Sequence, residues 1–484
     1  MKIEQIYTGC LAQGAYYITS NGEAAIIDPL REVQPYIDRL QEDGVTLKYI
    51  FETHFHADFV SGHLTLSEKT GAPIVYGPNA VTAFDTISAK DGQEFKIGDI
   101  TIKALHTPGH TMESTTYLLR DEDGQDHAIF SGDTLFLGDV GRPDLAQKSD
   151  DLTKEDLAGF LYDSLRSKIM PLADEVIVYP AHGAGSACGK NMMKETVDTL
   201  GNQKNRNYAL RADMTKAEFI QEVTDGLLPP PSYFALNAAL NKKGYEPIDQ
   251  VLERGVVALS PERFEMLANT EEALILDVRH QNDFAKGHIP SSIFIGLNGS
   301  FAPWVGALIP DIQQPILLVT PAGKEEEAVT RLARVGYDQT LGFLEGGISA
   351  WTTAKKEIDT VESVNPTDFA VQLQEEADSI VLDVRTPSEF LSHHVKGATN
   401  LPLDYLNKNM DKVKRKQSYY VHCGSGYRSV IAISILKARG FHNLIDVQQG
   451  FKGIEGTGMI PLTDYQCPTT ISQEVIDEAV NAVV

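Results

Sequence analysis

The chain has 484 residues, 42% hydrophobic and 23% charged, a composition ordinary for globular protein and ample for about three domains. Its 42 basic and 67 acidic residues leave a formal charge of −25. That disfavours nucleic acid and anionic membrane surfaces as partners, and any anionic small substrate must find a local basic pocket. No apolar run approaches the roughly 18 residues of a membrane span, and four scattered cysteines, at 10, 188, 423 and 467, make no disulfide framework and point to a reducing cytoplasm.

The N-terminal Met1-Lys2-Ile3-Glu4-Gln5 carries an acid and no apolar h-region, which argues against a secretory signal. The same lack discounts Thr8-Gly9-Cys10 as a lipoprotein box; Cys10 follows a strand-like run and is expected to be buried and inert. Chemistry begins at Thr53-His54-Phe55-His56-Ala57-Asp58-Phe59, after the apolar Tyr49-Ile50-Phe51. Two histidines at i and i+2 can point from a strand end toward one metal ion, and Asp58 can reach a neighbouring position. Where a two-metal loop of this type would place a further histidine the chain has Phe59, whose ring cannot ligate, so the loop argues for one metal with open positions. His63 reads as a plain helix residue. Three more turns follow short apolar runs: His106-Thr107-Pro108-Gly109-His110-Thr111, Ser131-Gly132-Asp133-Thr134 and Pro180-Ala181-His182-Gly183. Four such turns suit ligands at one edge of two packed sheets, and their order resembles the metallo-β-lactamase fold, an αββα sandwich. Cys188, just past His182, is either a relay thiol at the mouth of the site or a small side chain packed at a helix start.

A polar helical region from about 191 to 222 is broken by Gly226-Leu227-Leu228-Pro229-Pro230-Pro231, and the metal domain is placed at 1–250. Beyond it the chain repeats. Leu274-Ile275-Leu276-Asp277-Val278-Arg279 recurs as Ile380-Val381-Leu382-Asp383-Val384-Arg385, and Asp283-Phe284 recurs as Glu389-Phe390. Strands alternating with helices at this size predict two α/β modules with parallel sheets, at 251–357 and 358–484. Each Asp-x-Arg reads as a helix-capping Asp with an ion-paired Arg. In the second copy, His422-Cys423-Gly424-Ser425-Gly426-Tyr427-Arg428-Ser429 lies between a strand and a helix. Two glycines let the backbone N–H groups turn toward the Cys423 sulfur, and the helix N-terminus adds positive potential, which favours a thiolate or its persulfide. Arg428 can hold an anionic donor. A Cys-x5-Arg phosphatase loop would place the arginine one position later, and the loop resembles that of the rhodaneses. Aligning the strands by sequence puts Pro321 at the cysteine position of the first copy, followed by Glu325, Glu326 and Glu327, which would repel an anionic sulfur donor. The first module is read as inactive, with a spacing or docking role.

Across all three domains the chain resembles the multidomain persulfide dioxygenase–sulfurtransferases. The likeness is carried by the run from His54 to Asp58, by Gly138-Asp139-Val140-Gly141-Arg142-Pro143-Asp144, by His182-Gly183-Ala184-Gly185 and by the two modules. The resemblance implies one Fe(II) per chain and oxidation of a thiol persulfide by O2 to sulfite and the thiol. The ligands it implies are His54, His110 and Asp133, a facial triad suited to non-haem iron. His56 then has no assured role, Asp58 and His182 become outer-shell groups, and Arg142 either binds the substrate's anionic part or braces a loop. The expected partners are a glutathione, coenzyme A or bacillithiol persulfide, O2, and sulfite or thiosulfate; a homo-oligomer is compatible with the sequence. Two other classes stand beside this one. A zinc thioester hydrolase of the glyoxalase II type is opposed by Phe59, and a non-oxidising sulfur-carrier scaffold is opposed by the open triad.

Overall fold

A computed structural model describes the whole chain except residues 147–151, 228, 376–378, 468–470, 472 and 483–484; Leu228 of the proline-rich break thus lies outside the described residues. The chain divides into two compact units, Met1–Gln250 with Leu332–Gly336, and Val251–Arg331 with Tyr337–Val484. None of the described helices is long and apolar enough to cross a membrane.

The first unit is the expected αββα sandwich. One sheet holds, in chain order, β1 (Lys2–Thr8), β2 (Gln13–Ser20), β3 (Glu23–Ile27), β4 (Thr46–Phe51), β5 (Ile74–Tyr76) and β6 (Ile87–Ser88). The other holds β7 (Glu94–Ile97), β8 (Ile100–His106), β9 (Thr115–Arg120), β10 (Asp126–Gly132), β11 (Ile177–Pro180) and β12 (Asp198–Thr199). Tyr16, Ile18, Phe51 and Val75 of the first sheet meet Ile102, Tyr117 and Phe130 of the second in one buried cluster between the layers. The outer faces are covered too. Tyr36, Leu40 and Leu66 pack helices on the first sheet, and Leu161, Leu165 and Phe219 pack helices on the second. Strands buried on both faces carry the near-continuous apolar runs seen in the sequence.

Two expectations change here. The helical stretch near 191–222 is three pieces, Leu200–Arg206, Tyr208–Leu210 and Lys216–Thr224, because Thr199, Asn207 and Thr215 each cap a new start with a side-chain oxygen. Cys10 follows β1 as expected but is only half-buried, in the β1–β2 turn, with the Arg334 guanidinium 3.4 Å from its sulfur. His63 does begin a helix, His63–Thr70.

The second unit holds two five-stranded parallel sheets. The first contains β13 (Ala258–Leu259), β14 (Leu274–Asp277), β15 (Ile293–Phe294), β16 (Ile316–Val319) and β17 (Thr340–Leu344), in the order β13-β17-β16-β14-β15. The second contains β18 (Glu362–Val364), β19 (Ile380–Asp383), β20 (Thr399–Asn400), β21 (Tyr419–His422) and β22 (Leu444–Val447), in the order β18-β22-β21-β19-β20. The two orders are the same permutation, so the sequence repeat is a repeat of topology.

Pairing register aligns the modules more strictly than sequence does. Asp277 pairs with Val319 and Asp383 pairs with His422. Val319 therefore matches His422, and Thr320, not Pro321, occupies the station of Cys423. The expected alignment was one residue out because the strands' apolar residues alone tolerate a slip. The same register sets Glu325 opposite Arg428, and both residues open their helices. The Asp-x-Arg pairs keep the expected ion pair but not the expected cap. Asp277 and Asp383 each grip their own arginine, Arg279 and Arg385, while His280 and Thr386 cap the helices that follow.

Candidate functional site

The ligand-type residues of the first unit all sit just beyond strand ends. β3 runs into Asp28, β4 into Glu52 and His54, β10 into Asp133 and β11 into His182, while His110 lies on the turn after β8. Ligand atoms of His54, His110 and Asp133 fall within 4.8 Å of one another, and all three side chains are buried. Asp133 Oδ2 is 3.3 Å from His110 Nε2 and 3.9 Å from His54 Nε2. Both rings are held from behind. The His110 Nδ1–H donates to the Arg142 carbonyl at 2.8 Å. The Thr53 hydroxyl donates to Asp28, so it accepts from His54 Nδ1–H at 3.0 Å. Each imidazole is thereby oriented with a bare Nε2 toward Asp133. Burial, then His56, His110 and His182, holds the His54 imidazolium pKa well below the usual range, which keeps the ring neutral and fit to ligate.

The structure also gathers residues expected further out. His56, Asp58 and His182 form a second set within 4.8 Å, and Asp133 links the two sets, since its Oδ1 lies 3.7 Å from His182 Nε2. His182 Nε2 is 3.5 Å from Asp58 Oδ2. Burial opposes the charged ring, but Asp58 and Asp133 push His182 up to about 9. Both Asp133 oxygens, Asp58 Oδ1 and both His182 nitrogens are buried with no hydrogen-bond partner. A buried carboxylate left so costs several kcal/mol unless a cation meets it, so the donor set fits a metal ion. Phe59 is fully buried against His56, ring centroids 4.4 Å apart. Behind His56 stand two carboxylates that sequence reasoning missed: Asp28, 3.1 Å from Nε2, and Glu52, 3.5 Å away. The signal was Ala24-Ala25-Ile26-Ile27-Asp28, another apolar run ending in a ligand-type residue.

The Arg142 guanidinium forks onto Asp144 with two 2.7 Å bonds and reaches the Ala187 carbonyl, while its backbone oxygen orients His110. Gly141 makes this approach feasible, because a Cβ there would stand 2.1 Å from the Asp133 carbonyl oxygen and 2.9 Å from His110 Nδ1. Cys188 is buried, its sulfur within 4.8 Å of ligand atoms of Asp133 and His182. Burial, then Asp58 and Asp133, pushes its thiol pKa well up.

In the second unit, Cys423 closes β21 and is buried; its sulfur accepts the Gly426 N–H at 3.1 Å. Arg428 does not point at open space. It forks onto Glu389 with two 2.7 Å bonds, and Glu389 also accepts from Thr386 as part of that helix's capping box. Burial opposes the ionised form, yet Arg428 and Thr386 lower the Glu389 carboxyl to about 2. Glu389 was visible in sequence only as a repeat match. At the corresponding loop of the first module, Glu325 turns its carboxylate onto the Gly323 N–H and the Thr320 hydroxyl. A cavity of about 510 Å3 opens there, lined by Thr320, Ala322 and Glu325.

Asp446, on β22, is buried, and burial raises its carboxyl to about 7. The folded state thus favours the protonated acid. Its stability contribution is complete below the unfolded carboxyl's value near 4 and is lost as pH rises through about 7. Asp446→Asn is expected to raise the melting temperature strongly at pH 8, by up to about 4 kcal/mol of stability, and little at pH 4. Thermal melts at both pH values check this; an equal gain at the two would contradict it.

Two family models match the chain. The Metallo-beta-lactamase superfamily covers residues 8–182, and the Rhodanese-like domain covers 260–354 and 366–457. A solved metallo-beta-lactamase from Staphylococcus aureus subsp. aureus COL is 31% identical with TM-score 0.62, covering 71% of this chain and 98% of its own. A hydroxyacylglutathione hydrolase of Tolumonas auensis is 34% identical over 172 residues, 34% of this chain and 60% of that protein. The human mitochondrial persulfide dioxygenase ETHE1 is 29% identical over 211 residues, 43% of this chain and 74% of that protein.

Proposed function

The chain belongs to the metallo-β-lactamase superfamily and carries two rhodanese-like domains behind that fold, and from this we propose that it oxidises a low-molecular-weight thiol persulfide with O2 and one water to sulfite and the thiol, and moves sulfur through Cys423. The observation that carries the proposal is the buried triad His54, His110 and Asp133, whose ligand atoms lie within 4.8 Å of one another. Two imidazoles and one carboxylate on one face leave positions open for both reactants, a donor set that suits Fe(II). When bound, iron would supply the electrons that activate O2 and a charge that favours the persulfide anion. The chain's own contributions are positional. Thr53 and the Arg142 carbonyl fix the two imidazoles from behind, and burial keeps the His54 ring neutral. Glutathione, coenzyme A and bacillithiol persulfides are the substrates to compare.

At the second unit, sulfite attacking a Cys423 persulfide would form the S–S bond of thiosulfate, break that of the persulfide and return the Cys423 thiolate. The first module is silent in this reading. Thr320 offers a hydroxyl where the sulfur nucleophile stands, and Glu325 puts a negative charge at the arginine station.

A second reading has its own observation. His56, Asp58 and His182 form a second buried donor set sharing Asp133, which suits a two-zinc thioester hydrolase, the activity class of the Tolumonas relative's name. Metal analysis with oxygen uptake separates them. About one iron per chain and persulfide-dependent oxygen consumption are expected; two tightly bound zinc ions with thioester hydrolysis and no oxygen dependence would sink the dioxygenase proposal.

A further inference from the structure

The active loop of the second rhodanese-like module is not held by its own module alone. Of the six residues from Cys423 to Arg428, two are glycines and Ser425 is exposed, so the loop has few side chains with which to lock itself. Tyr427 is the exception, and its anchor lies in the first module, within the same compact unit. The Tyr427 hydroxyl donates to the Gly296 carbonyl at 2.7 Å. The Phe294 ring meets the Tyr427 ring edge-on, centroids 5.8 Å apart. Gly299 lies so close that a Cβ there would stand 2.4 Å from Tyr427 Cζ. The Phe294 N–H donates to Ser434 on the helix that Arg428 opens, fixing that helix at a second point. The strap is itself braced: Leu297 donates its N–H to the Val278 carbonyl and accepts from Arg331 at 2.7 Å. At the station matching Tyr427 the first module has Lys324, an exposed side chain with no such anchor.

We infer that the first module is the positioning element for the second module's active loop: its strap Gly296–Gly299 grips Tyr427 and so sets Gly426 and Arg428 about the Cys423 sulfur. This rests on the reading of Cys423 as the sulfur carrier. Tyr427 and Gly299 are positioning residues. Tyr427 stands between the two residues that define the loop's chemistry, Gly426 with its N–H on the sulfur and Arg428 with its guanidinium on Glu389. A shift of its ring moves both, and misplacements near 1 Å at a reacting group cost one to two orders of magnitude.

The test uses the full chain. Gly299 has no left-handed backbone, so Gly299→Ala adds only a methyl group, in the other module, that displaces the Tyr427 ring. The variant is expected to lose about tenfold in kcat for Cys423-dependent sulfur transfer, with a smaller change in KM. Alkylation of Cys423 by iodoacetamide, followed by mass spectrometry on its peptide, is expected to shift to higher pH as the Gly426 N–H moves away. In a Tyr427→Leu background, which lacks the atoms Gly299 meets, the same methyl group should cost less than about twofold, as a coupled pair requires. Tyr427→Phe, which removes only the bond to Gly296, should lose about threefold. The inference is overturned if Gly299→Ala and Tyr427→Phe keep parental kcat and alkylation profile, or if Gly299→Ala costs as much in the Leu background. If Gly299→Ala does not fold, Tyr427→Phe alone decides. A parent without Cys423-dependent transfer would count against the carrier reading, and the alkylation profiles would still decide the inference.

Discussion

Asp133→Ala is expected to yield a chain with no bound iron and no oxygen uptake above background when a glutathione persulfide is supplied. Asp133 is the one carboxylate of the triad, and its two oxygens are buried without a hydrogen-bond donor, one toward His54 and His110, the other toward His182. Alanine leaves two imidazoles and no carboxylate to meet the charge of a divalent ion. The expected loss exceeds about a thousandfold, the order seen when a reaction's charge-stabilising group is removed. Asp58→Ala and His182→Ala are the informative controls. With one metal they lower oxygen uptake by about ten- to a hundredfold, the scale of a change behind the ligands, and leave iron bound. If either abolishes both metal and activity as completely as Asp133→Ala, the second donor set is occupied and the single-iron proposal fails. Sulfur transfer at Cys423 should stay within about twofold of the parent in all three.

Cys423→Ser should do the converse. Persulfide oxidation proceeds, sulfite accumulates, and the exchange between thiosulfate and persulfide disappears. A serine hydroxyl keeps the shape of the loop and can still accept the Gly426 N–H that now meets the sulfur at 3.1 Å. It cannot carry sulfur. No residual turnover is expected from the first module, whose matching station is Thr320 with Glu325 folded onto its loop. Sulfite and thiosulfate are assayed separately in air, with correction for the uncatalysed reaction of sulfite with persulfide. Thiosulfate formation equal to the parent's would remove Cys423 from the reading.

Much of this was legible in the chain. Ligand-bearing turns after short apolar runs gave the sandwich, because strand ends are where a sheet offers side chains to a site. The tandem Asp-x-Arg strands gave the two parallel modules. What the sequence hid was set by pairing and by partners distant in the chain. The Thr320 station follows from the Asp277–Val319 register, which no local pattern states. The second donor set depends on how His56, Asp58 and His182 meet in space, although each had been noted singly. Asp28 and Glu52 were hidden because a carboxylate at a strand end is common, and only burial beside His56 singles them out. Arg142 was ambiguous until Asp144 was seen to take both ends of its fork.

The fork of Arg428 has a further consequence. The Glu389 carboxylate takes two of the five N–H donors of the guanidinium, so an arriving oxyanion shares the cation with a carboxylate already seated there. That carboxylate is itself fixed, because the Thr386 N–H and hydroxyl hold it. An anion bound there brings its whole charge to a pair that is already neutral, so its hold is weaker than on a lone arginine. A pocket built this way favours exchangeable anions over tightly retained ones.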